Sequence, residues 1–245
     1  MKGSHPPTLL TLVRRSLRGE CSALAGTTVL VATSGGPDSQ ALLHALAWHR
    51  EAFRMTLVAH GIHHGLRAEA DAELDGAESL ARSLGVPFAR SRVQVDEGGN
   101  LQARARNARF EALRLAASAS GARFIATAHH ANDRAETLLL RLLRGAGPRG
   151  LAVLPPVVDG LARPMLRATR EAIDAHVERH SLSSSTDPSN SDPRFARVRV
   201  RNEVIPLLRE LDPQIIRHLT DLADRLSFEP DARAPKPEES EGDGE

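Results

Sequence analysis

Between residues 28 and 143 short apolar runs alternate with amphipathic runs of helical period. Strands are expected at 28–33, 55–60, 88–93 and 123–128, and helices at 39–49, 69–84, 100–118 and 132–143. Asn100 supplies a helix cap, and Gly85, Gly121 and Gly145 supply stops. Strands separated by helices at this spacing have one economical arrangement, a doubly wound and mostly parallel α/β sheet. Such a sheet binds ligands beyond the carboxyl ends of its strands. That rule gathers three loops on one edge: Ser34–Ser39, residues 61–67 and residues 129–132. After residue 151 the register changes. A small hairpin is expected at 157–162, then helices at 169–180, 195–209 and 212–226; a further amphipathic helix is expected at 8–17. The implied organisation is an N-terminal helix and linker (1–26), an α/β domain that carries these loops (27–160), a small C-terminal helical extension completing the domain (161–228) and a disordered acidic tail (229–245).

The first of the three loops carries the sharpest chemistry. The β-branched run that ends at Thr33 passes directly into Ser34, Gly35, Gly36, Pro37, Asp38 and Ser39, and then into helix formers. A helix start offers unpaired N–H groups and the positive end of the helix dipole, which suits a phosphate. Paired glycines let the backbone approach an anion closely. Ser34 and Ser39 add hydroxyl groups, and Asp38 is placed to hold a metal ion. A Walker A loop would carry a lysine after its last glycine, and none is present.

Two histidine-bearing segments follow. One runs from His60 through His63 and His64 to Arg67. It has no acidic or cysteine partner at a zinc-site spacing, which argues against a metal centre there. The other contains His129, His130, Asp133 and Glu136. Asp133 and Glu136 lie three residues apart at a helix start and so share a face. Carboxylates in a first turn commonly just complement the helix dipole. Their place beside paired histidines, at the mouth of the same sheet, favours a site instead.

Composition narrows the setting. No apolar run of the 245 residues approaches the roughly 20 needed to cross a bilayer. The N-terminus lacks a signal-peptide apolar core, and the single cysteine, Cys21, excludes an internal disulfide. A reducing cytoplasm is the expected location, with no membrane partner. Net charge is +1, and Lys2 and Lys236 are the only lysines, so nearly all positive charge is arginine.

The Ser-Gly-Gly-Pro-Asp-Ser loop resembles the pyrophosphate loop of the ATP pyrophosphatase superfamily, and the later segments narrow the resemblance. His60 to Arg67, the arginine-spaced helix with Arg104, Arg106, Arg109 and Phe110, and Ala128 to Thr137 are similar to segments of the tRNA(Ile)-lysidine synthases. Leu138 to Gly145, Arg163 to Leu166, Arg170-Glu171, Asp187 to Asn190, Phe195 to Arg197 and Arg199 to Arg201 extend the match to about 28–208. The chain departs from the pattern at Asn132 and Arg134, where an Asp-Asp-Gln run is usual, and at Val198. It also resembles a short form, without most of the C-terminal domains common in that family.

The resemblance implies a Rossmann-like fold of the adenine nucleotide alpha hydrolase type. It also implies ligation of free L-lysine to the wobble cytidine of tRNA(Ile) with a CAU anticodon, with ATP and Mg²⁺. ATP would be held by Ser34, Gly35, Gly36, Pro37, Asp38, Ser39 and His60, with Mg²⁺ on Asp38. Asp38, Arg104, His129 and Asp133 would be catalytic; Asp133, Glu136 and His130 would bind lysine. Arg109, Arg141, Arg144, Arg197 and Arg201 would meet tRNA phosphates. Two rivals remain: another tRNA-modifying enzyme of the superfamily, such as a thiolase, and a non-catalytic ATP- or tRNA-binding module. A thiolase needs more cysteines than Cys21, and a binding module has no need of both acidic residues. A homodimer is left open.

Overall fold

The computed structural model describes residues 6–63, 69–93, 101–183 and 196–228. The acidic tail, residues 64–67, 187–190 and Phe195 fall outside the described residues.

Six strands follow the expected pattern of short runs: β1 (Thr28–Thr33), β2 (Thr56–His63), β3 (Phe88–Arg92), β4 (Phe124–Ala126) and the hairpin pair β5 (Val157–Val158) and β6 (Leu161–Ala162). They form one sheet in the order β3-β2-β1-β4-β6-β5. All neighbours are parallel except β5 with β6. Helices α1 (Leu9–Arg18), α2 (Pro37–His49), α3 (Glu69–Ser83), α4 (Leu101–Ala119) and α5 (Ala131–Leu142) precede or link the strands. Then come α6 (Pro148–Leu151), α7 (Arg170–Arg179), α8 (Ala196–Arg199), α9 (Ile205–Leu211) and α10 (Ile215–Phe228).

Alternation along β1 sorts the core into two layers. Val29 and Val31 point to one face, where they pack with Leu9, Val13 and Leu17 of α1, Leu42 and Leu46 of α2 and Ile173 of α7. Leu30 and Ala32 point to the other, against Leu113 and Ala117 of α4. Chain order steps outward from β1 to β3 and then returns to β4 on the opposite side. The loops after β1 and β4 therefore diverge at the switch point, which is where such sheets open a crevice.

Two expected boundaries differ from the structure. β6 pairs with β4 inside the sheet, so the sheet does not stop at residue 160. Helix α1, expected ahead of the α/β domain, packs into its main core. The helix expected over 195–209 is also broken: α8 passes through a π-helical turn, Val200–Val204, into α9. Pro206, in the first turn of α9, has no N–H to give the ladder, and wider hydrogen bonding just before it accommodates the loss.

Candidate active site

The loop after β1 is shaped by its own hydroxyls and by α3. The Ser34 N–H donates to Ser39 Oγ at 3.1 Å, and Ser39 Oγ donates to the Gly36 carbonyl at 2.9 Å. Ser39 is thus buried in holding the turn, whereas Ser34 is exposed. Gly35 has φ +79°, and a Cβ there would lie 2.2 Å from the Glu73 carbonyl oxygen of α3. Only glycine fits this position, for backbone angle and for space. Gly36 caps α2 without a side chain, so the helix start faces the crevice with its N–H groups.

Asp38, in the first turn of α2, receives two hydrogen bonds from Arg170 Nη1, at 2.8 and 2.9 Å. Arg170 begins α7, and its own backbone N–H donates to the Asn132 side chain at 3.0 Å. Burial pushes the Asp38 carboxyl upward, against the pull of His130 and Arg170.

The loop after β4 delivers the second group. His130 caps α5; its N–H donates to Asp133 Oδ2 at 3.1 Å. The buried His130 ring stands between two carboxylates, with Nε2 3.5 Å from Asp133 Oδ2 and 3.8 Å from Asp38 Oδ2. Burial alone would raise the Asp133 carboxyl, but His130, His129 and Arg197 together hold it below the ordinary range. His129 bonds Thr127 Oγ1 through Nδ1 at 2.9 Å. Burial drives its conjugate acid down to about 4, and Arg163, Arg106 and Arg109 push the same way. His129 is therefore neutral near pH 7.

Glu136 occupies a different environment. Its side chain is 1% exposed, and Arg201 Nε and Arg197 Nε reach it at 2.7 and 3.0 Å. Arg201 Nη2 adds a third bond at 3.0 Å. Glu136 was expected to hold lysine, and Arg197 and Arg201 to meet tRNA. The structure gives these three side chains to one another. A carboxylate this deeply buried stays charged only with such partners.

The other expected residues lie in varied settings. His60 is buried and bonds Ser91 Oγ of β3 at 2.9 Å, turned into the sheet rather than toward the loop. Arg104 and Arg109 lie on α4, with Arg109 half-buried. Arg141 donates to the Gly150 carbonyl at 2.7 Å, and Arg144 is exposed. Arg170 and Asn132 had been given no role from sequence. Nothing in the spacing pairs residues 132 positions apart; only the packing of α7 against α2 does so.

A PP-loop domain model matches residues 10–208. The tRNA(Ile)-lysidine synthase of Thermobifida fusca is 40% identical over 238 residues, 95% of this chain and 72% of that protein. The chain belongs to this family. The synthase of Pseudomonas aeruginosa is 43% identical over 80% of this chain, and that of Ralstonia nicotianae 45% over 74%. The chain spans less than half the length of these two relatives, 45% and 40%. A U34-tRNA thiolase from Methanococcus maripaludis superposes with a TM-score of 0.77 at 16% identity, covering 90% of this chain and 78% of its own. That likeness is one of fold.

Proposed function

We propose that this chain uses ATP to activate the wobble cytidine of tRNA(Ile) and then joins L-lysine to it, forming lysidine. The observation that carries the reading is the line Asp38–His130–Asp133, which joins the PP-loop to the start of α5 across the switch point. Cytosine O2 is a poor leaving group. Its attack on the α-phosphate of ATP releases pyrophosphate and leaves an adenylate. The lysine ε-amine then attacks carbon 2 and expels AMP.

The loop backbone, the start of α2 and the Ser34 hydroxyl hold phosphate oxygens through the first step. Mg²⁺ asks for one or two carboxylates and fills its remaining positions with phosphate and water. Asp38 fits, since its side chain is 32% exposed and each oxygen keeps a lone pair beyond the Arg170 bonds. When bound there, Mg²⁺ supplies charge neutralisation at the transferring phosphate.

In the second step Asp133, held as a carboxylate, receives the lysine ammonium, and His130 fixes its orientation. Glu136 keeps Arg197 and Arg201 in place behind it. His129, with a conjugate acid near 4, is a weak acceptor for an ammonium proton. The fold is shared with thiolases, but Cys21 is fully buried and burial raises its thiol, which disfavours sulfur transfer.

The test is incubation of the protein with labelled lysine, ATP and bulk tRNA, followed by nucleoside analysis. Label in a modified cytidine, dependent on ATP, supports the reading. ATP bound without pyrophosphate release or label points to a binding module.

A further inference from the structure

On the far side of α2 from the sheet, the same two helices that carry Asp38 and Arg170 meet a second time. His44 of α2 and His176 of α7 lie six residues beyond Asp38 and Arg170 respectively. Both pairs are in contact, so the helices run parallel, with the second contact about 9 Å along the axis from the first. His180, one turn after His176, completes the group. The ring centroids of His180 lie 4.5 Å from those of both His44 and His176.

We infer that His44, His176 and His180 form a site for one divalent transition-metal ion of the zinc class, bracing α2 against α7. One nitrogen from each ring lies within 4.8 Å of the others, and His176 Nε2 is 3.0 Å from His44 Nδ1. Three imidazoles at Zn–N distances near 2.0–2.1 Å in a tetrahedron place their nitrogens about 3.4 Å apart. The His44–His176 separation is close to that value and the others are at most 4.8 Å, so ring movements bring the three nitrogens onto one ion. An all-imidazole donor set suits zinc, copper or nickel and does not suit magnesium or calcium. His176 is 4% exposed, while His44 and His180 are half-buried, which leaves an open side for a water as fourth ligand.

Nothing in the proposed lysine chemistry uses these rings. The consequence is mechanical: an ion joining the helices at this rung resists their separation at the next, where Arg170 holds Asp38.

Trp48 makes the site readable. It is the only tryptophan, and its ring is 6.3 Å from His44 and 6.5 Å from His180. The experiment titrates Co²⁺ into the full chain while following Trp48 fluorescence, then competes with Zn²⁺. The expected result is saturable quenching at one equivalent, reversed by Zn²⁺. His44→Gln and His180→Gln should each weaken binding by more than the roughly 10–100-fold that loss of a supporting contact costs. Both are half-buried positions, so the variants avoid the buried His176, and circular dichroism checks that they fold. His218→Gln, at an exposed histidine on α10, should leave the titration unchanged. Zn²⁺ should also raise the Tm of the wild type and not of the two site variants. Absence of saturable quenching, or quenching that survives in both site variants, would overturn the inference and leave a packed histidine cluster.

Discussion

Asp133 and Glu136 stand one turn apart on α5 in opposite surroundings, and their variants should separate. Asp133→Asn removes a charge that faces the crevice. It should keep the fold and weaken lysine use roughly ten- to a hundredfold, the equivalent of about 1.5–3 kcal/mol for a hydrogen bond to a charged group. The Michaelis constant for lysine checks it. Glu136→Gln leaves Arg197 and Arg201 facing a neutral amide, so thermal stability and activity should fall together. The histidines set the response to acid. His129 and His176 protonate near pH 4 when folded, against about 6.5 in an unfolded chain. The unfolded state binds more protons between these values, so stability should be full above pH 6.5 and decline as pH falls toward 4. The raised Asp38 carboxyl acts in the opposite sense, but as a single group. A flat Tm between pH 7 and 4.5 would contradict the assignment. The residue types at the site were legible in the sequence because each belongs to a local run. Their pairings were not: the sequence spacing of Glu136, Arg197 and Arg201 carries no sign of which way a guanidinium turns.

The elements that position the site make two further tests. Gly35→Ala places a methyl group against the Glu73 carbonyl at a positive φ, so ATP binding should be lost or the loop displaced from α3; unchanged nucleotide affinity would show that the loop tolerates it. Helix α10 is anchored by charge. Arg134, fully buried on α5, donates to the Val153 carbonyl and pairs with Asp224 of α10 at 2.5 Å. Arg167 joins the same Asp224 to Glu20 beyond α1. Asp224→Ala should cost about 3–5 kcal/mol, because a buried guanidinium loses its carboxylate. A hydrophobic replacement of both Arg134 and Asp224 should recover much of this, and chemical denaturation measures both. Strands β1 to β4 and helices α1 to α5 were legible to within a few residues, since apolar period and glycine stops are local signals. The π turn before Pro206 was not. The run from residue 195 has an unbroken helical period, and its break depends on one missing N–H.

At the scale of the whole molecule, the sheet brings two loops nearly a hundred residues apart to one crevice. If tRNA phosphates meet exposed arginines such as Arg144, affinity should fall with salt, each contact adding a slope of about −0.7 to −0.9 in log–log form. Arg144→Ala, at an exposed position, should flatten that slope without altering ATP binding. Arg197→Ala should instead act chiefly through stability, because that side chain is committed to Glu136. Charge composition alone could not assign these roles, since nearly every cation in the chain is an arginine. The central claim is that one crevice carries out both activation and lysine transfer. The measurement that bears on it most directly follows pyrophosphate release and lysidine formation side by side, with tRNA(Ile), in the wild type and in Asp133→Asn. The account predicts both products from the wild type, and in the variant near-normal pyrophosphate release with lysidine formation reduced at limiting lysine. Equal lysidine formation by the two proteins, or none by the wild type, would contradict it.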